Sequence, residues 1–252
     1  MHHLEYFYVP STEISGDELF IRGSELKHLA SVMRKKRGDI VQVTDGHGLL
    51  YTVMIAEISK QQVTCFIQKK SRFRNEPMLH LSLASGIPKS GRFDWIIEKG
   101  TEIGVSAFYP LITDRSVNKG SDGKQKRWQN VAVAAMKQST RCVLPEIAQP
   151  QTVQDFLAKP TTYDYQLIAH PGEGVEHLSK ITLDLKQKAA RVTSIKKAVI
   201  LIGPEGGFTV DELQSAQSLH YHQFSLGDRR LRTETATIVS AAIVMELINN
   251  LT

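Results

Sequence analysis

Two near-continuous apolar runs, Tyr165 to Ala169 and Ala198 to Ile202, do most to limit the folds open to this chain. A strand with one face in water alternates apolar and polar residues. A run that is apolar throughout is buried on both faces, as in a parallel sheet covered by helices. Leu79 to Ala84 and Ala107 to Ile112 read as further strands of this type. Between them apolar residues recur at helical spacing: Phe93, Ile96, Ile97 and Gly100 mark one face, and Trp128, Val131, Ala132 and Ala135 another. Thr209-Val210-Asp211-Glu212 fits the capping box that opens a helix, and a last helix runs from about Thr233 to Asn249. Strands alternating with helices predict an α/β layer architecture with a mostly parallel sheet.

The first seventy-odd residues follow another pattern. Tyr6 to Val9 favours a strand and stops at Pro10. Asp39 to Thr44 leads into the turn cluster Asp45-Gly46-His47-Gly48, and Leu50 to Ile58 and Gln62 to Ile67 are two further strand-type runs. One short helix is predicted, capped by Ser24, with Leu26, Leu29, Ala30 and Met33 on its buried face. Several strands and one helix in so short a stretch predict a small β-barrel. The boundary falls near residue 75, giving regions 1–74 and 75–252.

Composition removes several classes. The chain has 252 residues, enough to bury a full core without disulfide or metal staples. Cys65 and Cys142 are far apart and fit no zinc-ligand spacing. His220-x-His222 has no third ligand near it in sequence, so no metal is expected. No uncharged run approaches the roughly 18 residues of a membrane span. Met1 to Phe7 lacks the basic and apolar regions of a signal peptide. The expectation is a cytoplasmic protein. Net charge is +5, too small to identify a polyanion binder by itself. Its distribution says more. Arg22, Lys27, Arg34, Lys35, Lys36 and Arg37 face only Glu25 within their stretch, and Lys69, Lys70, Arg72 and Arg74 form a second patch. Two basic patches in one small region point to a polyanion as partner.

Two stretches carry the strongest chemical signal: Gly203-Pro204-Glu205-Gly206-Gly207-Phe208-Thr209 and Leu226 to Ala236. Each follows a predicted strand and opens a helix, which is the carboxyl edge of the sheet where α/β proteins bind ligands. Neither fits a nucleotide-phosphate loop. Gly86-Ile87-Pro88-Lys89-Ser90-Gly91 lacks the Lys-Ser/Thr of a Walker motif, because Arg92-Phe93 follows it. Ser82, Ser85 and Ser90 lie in no nucleophile elbow. Arg229, Arg230 and Arg232 crowd a predicted helix start, where the macrodipole disfavours cations. Local conflict of that kind marks functional sites.

Leu226-Gly227-x-Arg229-x-Leu231-Arg232-x-Glu234-Thr235-Ala236, preceded by Gly203 to Gly207, resembles the SPOUT (trefoil-knotted) RNA methyltransferases. Within them it is most similar to the RsmE-type branch, which methylates N3 of uridine 1498 of 16S rRNA. The resemblance extends over nearly the whole chain. Lys27-His28-Leu29-x-x-Val32-Met33-Arg34 with Gly38-Asp39, Glu98 to Val105, and Gln138-Ser139-x-Arg141 are similar to that family's segments. It implies a PUA-like N-terminal barrel that helps bind RNA, a knotted α/β methyltransferase domain, and a homodimer. It implies S-adenosylmethionine against His170-Pro171, against Ile202 and Gly203 to Gly207, and against Leu226, Gly227, Leu231, Arg232, Thr233, Thr235 and Ala236. The RNA-binding set it implies is Arg22, Lys27, His28, Arg34, Lys35, Lys36 and Arg37. Two positions depart from the pattern: Lys137 stands where Glu is common, and Tyr6 precedes Phe7 where an Arg is often found.

The chemistry of such a reaction suggests roles. Uracil N3 becomes a nucleophile when its proton leaves, and the charge then spreads over O2 and O4. A guanidinium aimed at those oxygens stabilises the anion. Arg232 is the first candidate and Arg141 the second, reaching in from a partner subunit; an ion pair between Arg232 and Glu234 is the competing reading for Arg232. Glu205, Glu234 or bulk water takes the proton. Gly206 and Gly207 are expected to let the backbone close over the adenosyl group. The alternatives are a SPOUT enzyme acting on another base or on a ribose 2′-hydroxyl, a catalytically silent rRNA-binding assembly factor, and a small-molecule enzyme with an α/β core.

Overall fold

The computed structural model describes residues 6–89, 91–116, 124–159, 163–172, 174–189 and 197–249. Met1 to Glu5 and Ser90, which entered the readings above, lie outside the described residues. The chain divides into two compact units, Met1–Glu76 with Val133–Leu144, and Pro77–Ala132 with Pro145–Thr252.

The first unit is a six-stranded sheet built from β1 (Tyr6–Tyr8), β2 (Ile14–Ser15), β3 (Glu18–Arg22), β4 (Ile40–Thr44), β5 (Leu49–Ile58) and β6 (Gln62–Arg72). Their spatial order is β1-β4-β5-β6-β3-β2. β1 runs parallel to β4 and the other pairs are antiparallel. Alternation decides which side is covered. Leu19 and Ile21, Val41 and Val43, Val53 and Ile55, and Val63 and Cys65 point inward from four strands, with Phe7 from β1. Each fully buried aliphatic side chain stabilises by roughly 1.5–3 kcal/mol. The pairings Val41↔Val53, Ile21↔Val63 and Leu19↔Cys65 keep these residues on the enclosed face. Register shifts in β5 at Thr52/Val53 and Ile55/Glu57 mark bulges that bend the strand.

The short helix starts one residue before the expected cap. α1 (Gly23–Lys27) has Arg22 at its N-cap with no side-chain cap bond, and Ser24 lies inside the first turn. Gly23, at φ 61°, makes the bend that admits this earlier start. The helix widens into a π-helical turn, His28–Val32, in which the Met33 amide bonds the His28 carbonyl. Leu29 drops into the core, with Leu26 and Met33 against it. β2 and β3 were not foreseen, because contiguous Leu19-Phe20-Ile21 hides a period of two.

The second part of this unit, Val133–Leu144, lies beyond residue 75 in sequence. Glu76 fixes it. One carboxylate oxygen accepts from Arg141 Nε (3.1 Å) and Nη2 (2.8 Å), the other from the amides of Cys142 (2.8 Å) and Val143 (3.0 Å). Lys137 Nζ adds a 2.6 Å bond to Glu25.

The second unit holds β7 (His80–Gly86), β8 (Ala107–Ile112), β9 (Glu146–Ile147), β10 (Gln151–Thr152), β11 (Tyr165–Ala169), β12 (Lys197–Ile202) and β13 (His222–Phe224). The order is β10-β8-β7-β12-β11-β13, with β9 also on β8, and every pairing is parallel. Among the described residues this unit holds the helices α2 (Phe93–Ile103), α4 (Val153–Leu157), α5 (Leu178–Ala189), α6 (Val210–Ser218) and α7 (Thr233–Asn249), while α3 (Lys124–Gln138) is divided between the two units. α4 and α6 cover one sheet face through Val153, Phe156, Leu213 and Ala216, packed on Ala84, Val199 and Leu201. α7 packs on β7 and β12 and meets α2 and α5. Ala198 to Leu201 are therefore fully buried, as apolar runs require. Because all the strands are parallel, the loops that follow them gather at one edge. Among the described residues, no helix is long and apolar enough to cross a membrane.

Candidate functional site

At the carboxyl edge of the second unit's sheet lies a cavity of about 550 Å³, within the usual range for a small-molecule site. Loops after β8, β11, β12 and β13 line it. Of the residues named from the sequence, His170 and Pro171, Ile202, Gly203 to Gly207, Leu226, Gly227, Leu231, Thr233 and Ala236 line this cavity. Arg232 and Thr235 do not. Arg115, Ala169, Phe208, Phe224, Ser225 and Asp228 to Arg230 complete the wall, and of these Arg115 comes from a loop that sequence reasoning passed over. The signal was available: Arg115 follows the predicted strand Ala107 to Ile112 at the same edge.

The loop from Gly203 is held from several directions. The Gly207 amide bonds the Pro204 carbonyl at 2.8 Å, closing a turn that places Gly207 at φ 70°. Phe208 anchors the turn in the apolar core. Thr209 then caps α6 reciprocally, Glu212 N donating to Thr209 Oγ1 (3.2 Å) and Thr209 N to Glu212 Oε2 (2.7 Å). Glu212 is fully buried, and its other oxygen accepts the Asp114 amide at 3.1 Å, which ties in the loop carrying Arg115. From the far side Thr233 Oγ1 donates to the Gly203 carbonyl at 3.1 Å.

The glycines serve the turn in different ways. A Cβ on Gly203 would stand 3.1 Å from the Gly207 backbone, so Gly203 is the close-approach glycine. Gly207 meets nothing within 4 Å and is required by its positive φ. A Cβ on Gly206 would face Arg115 Cβ at 3.0 Å.

The candidate catalytic residues are also redistributed. Arg232 is exposed, and among the described residues its guanidinium has no carboxylate partner. Glu234 pairs with Arg92 instead, at 3.2 Å, so the competing Arg232–Glu234 ion pair is not formed. Arg141, the second candidate, sits in the first unit. It is only 3% exposed, and its Nε and Nη2 are spent on Glu76 in the first unit.

The RNA-facing candidates lie on the first unit. Arg34, Lys36 and Arg37 are exposed in the loop after the π-helical turn, with Arg34 at φ 52° and the Lys36 amide bonded to Asp39. Lys27 is exposed, and Lys35 is half-buried. His28 packs its ring on Phe7. Arg22 is pinned by Glu13 (3.0 Å) and Gln62 (2.7 Å). Lys137, the departure from the family pattern, is the partner of Glu25 described above.

Residues 74–245 match the model of an RNA methyltransferase domain, and residues 21–68 that of an RNA methyltransferase PUA domain. The chain is 32% identical over 231 residues to ribosomal RNA small subunit methyltransferase E of Bacillus subtilis, covering 89% of this chain and 88% of that one. The chain belongs to the ribosomal RNA small subunit methyltransferase E family. Its fold is accordingly that of the SPOUT methyltransferases with an appended PUA barrel. Among solved structures it is similar to the family's protein from Neisseria gonorrhoeae, bound to S-adenosylmethionine, at 25% identity and TM-score 0.83, covering 99% of this chain and 100% of that one. A methyltransferase from Legionella pneumophila, also holding S-adenosylmethionine, matches at 27% identity and TM-score 0.80 over 96% of each chain.

The cavity suits that cofactor on its own terms. Ala169, Ile202, Phe208, Leu226, Leu231 and Ala236 offer apolar walls for a nucleoside ring, the glycine loops offer main-chain edges, and Glu205 and Asp228 supply negative charge for a sulfonium.

Proposed function

We propose that this protein transfers a methyl group from S-adenosylmethionine to N3 of one uridine of 16S rRNA, position 1498 in conventional numbering, in the small ribosomal subunit. Supporting this is the cavity where the two sequence motifs meet, in a chain of this family. When bound, S-adenosylmethionine supplies an electrophilic methyl group on a sulfonium. The chain's residues do the rest. Gly203 and the turn closed by Gly207 shape the cavity wall, and Phe208 and Glu212 keep it rigid, so the reacting atoms need little further ordering. Arg232 lies between two wall residues, Leu231 and Thr233, is exposed and off the wall itself, and among the described residues carries no carboxylate partner. It is free to meet the negative charge that develops on uracil O2 or O4 as the N3 proton leaves. Arg34, Lys35, Lys36 and Arg37 bind rRNA phosphates. The protein acts in the cytoplasm as a homodimer.

Arg232→Ala tests the assignment. Turnover should fall by roughly 10²–10³ while calorimetric affinity for S-adenosylmethionine stays within about twofold. An equal loss of cofactor affinity would make Arg232 a residue that shapes the loop and would remove its catalytic role.

A further inference from the structure

Arg115 and Arg230 come from different loops, after β8 and after β13, and grip consecutive carbonyls of the same turn. Arg115 Nη1 donates to the Gly206 carbonyl at 3.1 Å, and Arg230 Nη2 to the Glu205 carbonyl at 2.9 Å. Both line the cavity and both are exposed. Among the described residues neither has a carboxylate within ion-pair distance, although Glu205 and Asp228 share the wall. The contrast with Arg92, Arg127 and Arg141, each paired with an acid, is plain.

Holding two guanidinium groups on neighbouring carbonyls costs repulsion that a loop clamp alone does not require. A serine or asparagine would satisfy each carbonyl. What arginine adds is charge and a planar edge. Each guanidinium has five N–H donors and spends one on the turn, so the carbonyl bond orients the rest before any ligand arrives. Oriented in advance, the pair loses little side-chain freedom on binding. Two such forks on one exposed rim match a tetrahedral anion with two free oxygens. A carboxylate is already satisfied by a single fork.

We propose that Arg115 and Arg230 together form the binding site for a phosphodiester of the RNA strand beside the target uridine. The inference rests on the proposed RNA substrate and deepens it. Arg115 and Arg230 fix the strand at the cavity mouth, and Arg232 is left for the base. The pair consists of positioning residues, since neither needs to touch the reacting atoms.

The test compares Arg115→Ala/Arg230→Ala and Arg115→Lys/Arg230→Lys with the native protein. Binding to small ribosomal subunits lacking the modification is followed against KCl, with S-adenosylhomocysteine present and magnesium constant. S-Adenosylmethionine affinity is measured calorimetrically on each protein. Loss of one phosphate contact should flatten the log–log salt dependence by about 0.7–0.9 in the alanine variant and raise KM for subunits at least tenfold. Lysine, which keeps the charge, should restore most of the salt slope. Any loss of cofactor affinity from releasing the turn should be shared by the alanine and lysine variants, whereas the salt slope should differ between them. An unchanged salt slope with weakened cofactor binding would make the arginines clamps of the cofactor loop and overturn the proposal. An unchanged slope with intact cofactor binding would overturn it as well. If the native protein neither bound nor methylated subunits, the proposed substrate itself would fail, a result distinct from either.

Discussion

Gly86→Ala is the sharpest steric test of how the cofactor loop is held. Gly86 ends β7 and is buried, yet it is not on the cavity wall. A Cβ there would lie 2.6 Å from Pro204 N, 2.8 Å from Pro204 Cδ and 3.0 Å from Pro204 Cα. Its φ is not in the left-handed region, so alanine brings no backbone strain and the contact acts alone. Restoring ordinary contact at 3.4 Å or beyond needs a shift of about 0.8 Å, and the neighbours are main chain and a rigid ring. Overpacking of this kind costs about 1–3 kcal/mol of stability. If the turn from Gly203 to Gly207 moves to relieve it, cofactor binding must push the turn back. The same energy then appears as a loss of affinity of roughly 5- to 150-fold. Urea unfolding and calorimetry with S-adenosylmethionine read the two effects separately. Gly100→Ala is the matched control, since its Cβ would meet Phe108 Cε1 at 2.6 Å in α2, away from the turn. It should lose stability and keep cofactor affinity. If Gly86→Ala loses 1 kcal/mol or more but binds the cofactor within twofold of the native protein, the turn does not set the cavity and the reasoning is wrong.

Other consequences are equally direct. Glu76→Ala leaves the buried Arg141 guanidinium and two amides without their acceptor, and should cost about 3–5 kcal/mol in urea unfolding; a loss below 1 kcal/mol would show that Glu76 does not fix Val133–Leu144. Burial pushes the Cys65 thiol up to about 12, and burial with the neighbouring Glu76 charge pushes Cys142 up to about 11. Both should resist a thiol reagent at pH 8 until the protein unfolds. Because the folded values lie above the unfolded ones, these thiols contribute stability that is complete below about pH 8.5 and falls as pH rises through 11 and 12; stability flat between pH 8 and 11 would contradict this. Neutralising Arg34, Lys35, Lys36 and Arg37 together should flatten the salt dependence of RNA binding and leave cofactor affinity alone, and an unchanged slope would mark them as a solvated face.

What the sequence disclosed and what it hid follow from the range of the forces involved. The parallel sheet was legible because burial on both faces leaves unbroken apolar runs such as Ala198 to Ile202. The α6 start was legible because a capping box is local, Thr209 and Glu212 lying three residues apart. Most of the cavity wall followed from its place after strands β11, β12 and β13. Contacts made at a distance were hidden. The bond between Arg141 and Glu76 was hidden because the two are 65 residues apart. Glu234 looked like a partner for Arg232 because they are neighbours, whereas the fold brings Arg92 to it. The separate duties of Gly203, Gly206 and Gly207 were hidden too, since a glycine's letter does not say whether its φ or its missing Cβ is needed.

The most direct test of the central claim is methyl transfer from labelled S-adenosylmethionine to small ribosomal subunits lacking the modification, read by nucleoside mass spectrometry. Label should appear in 3-methyluridine at a single 16S position. Label in any other nucleoside, or in a ribose 2′-O-methyl group, would contradict the claim.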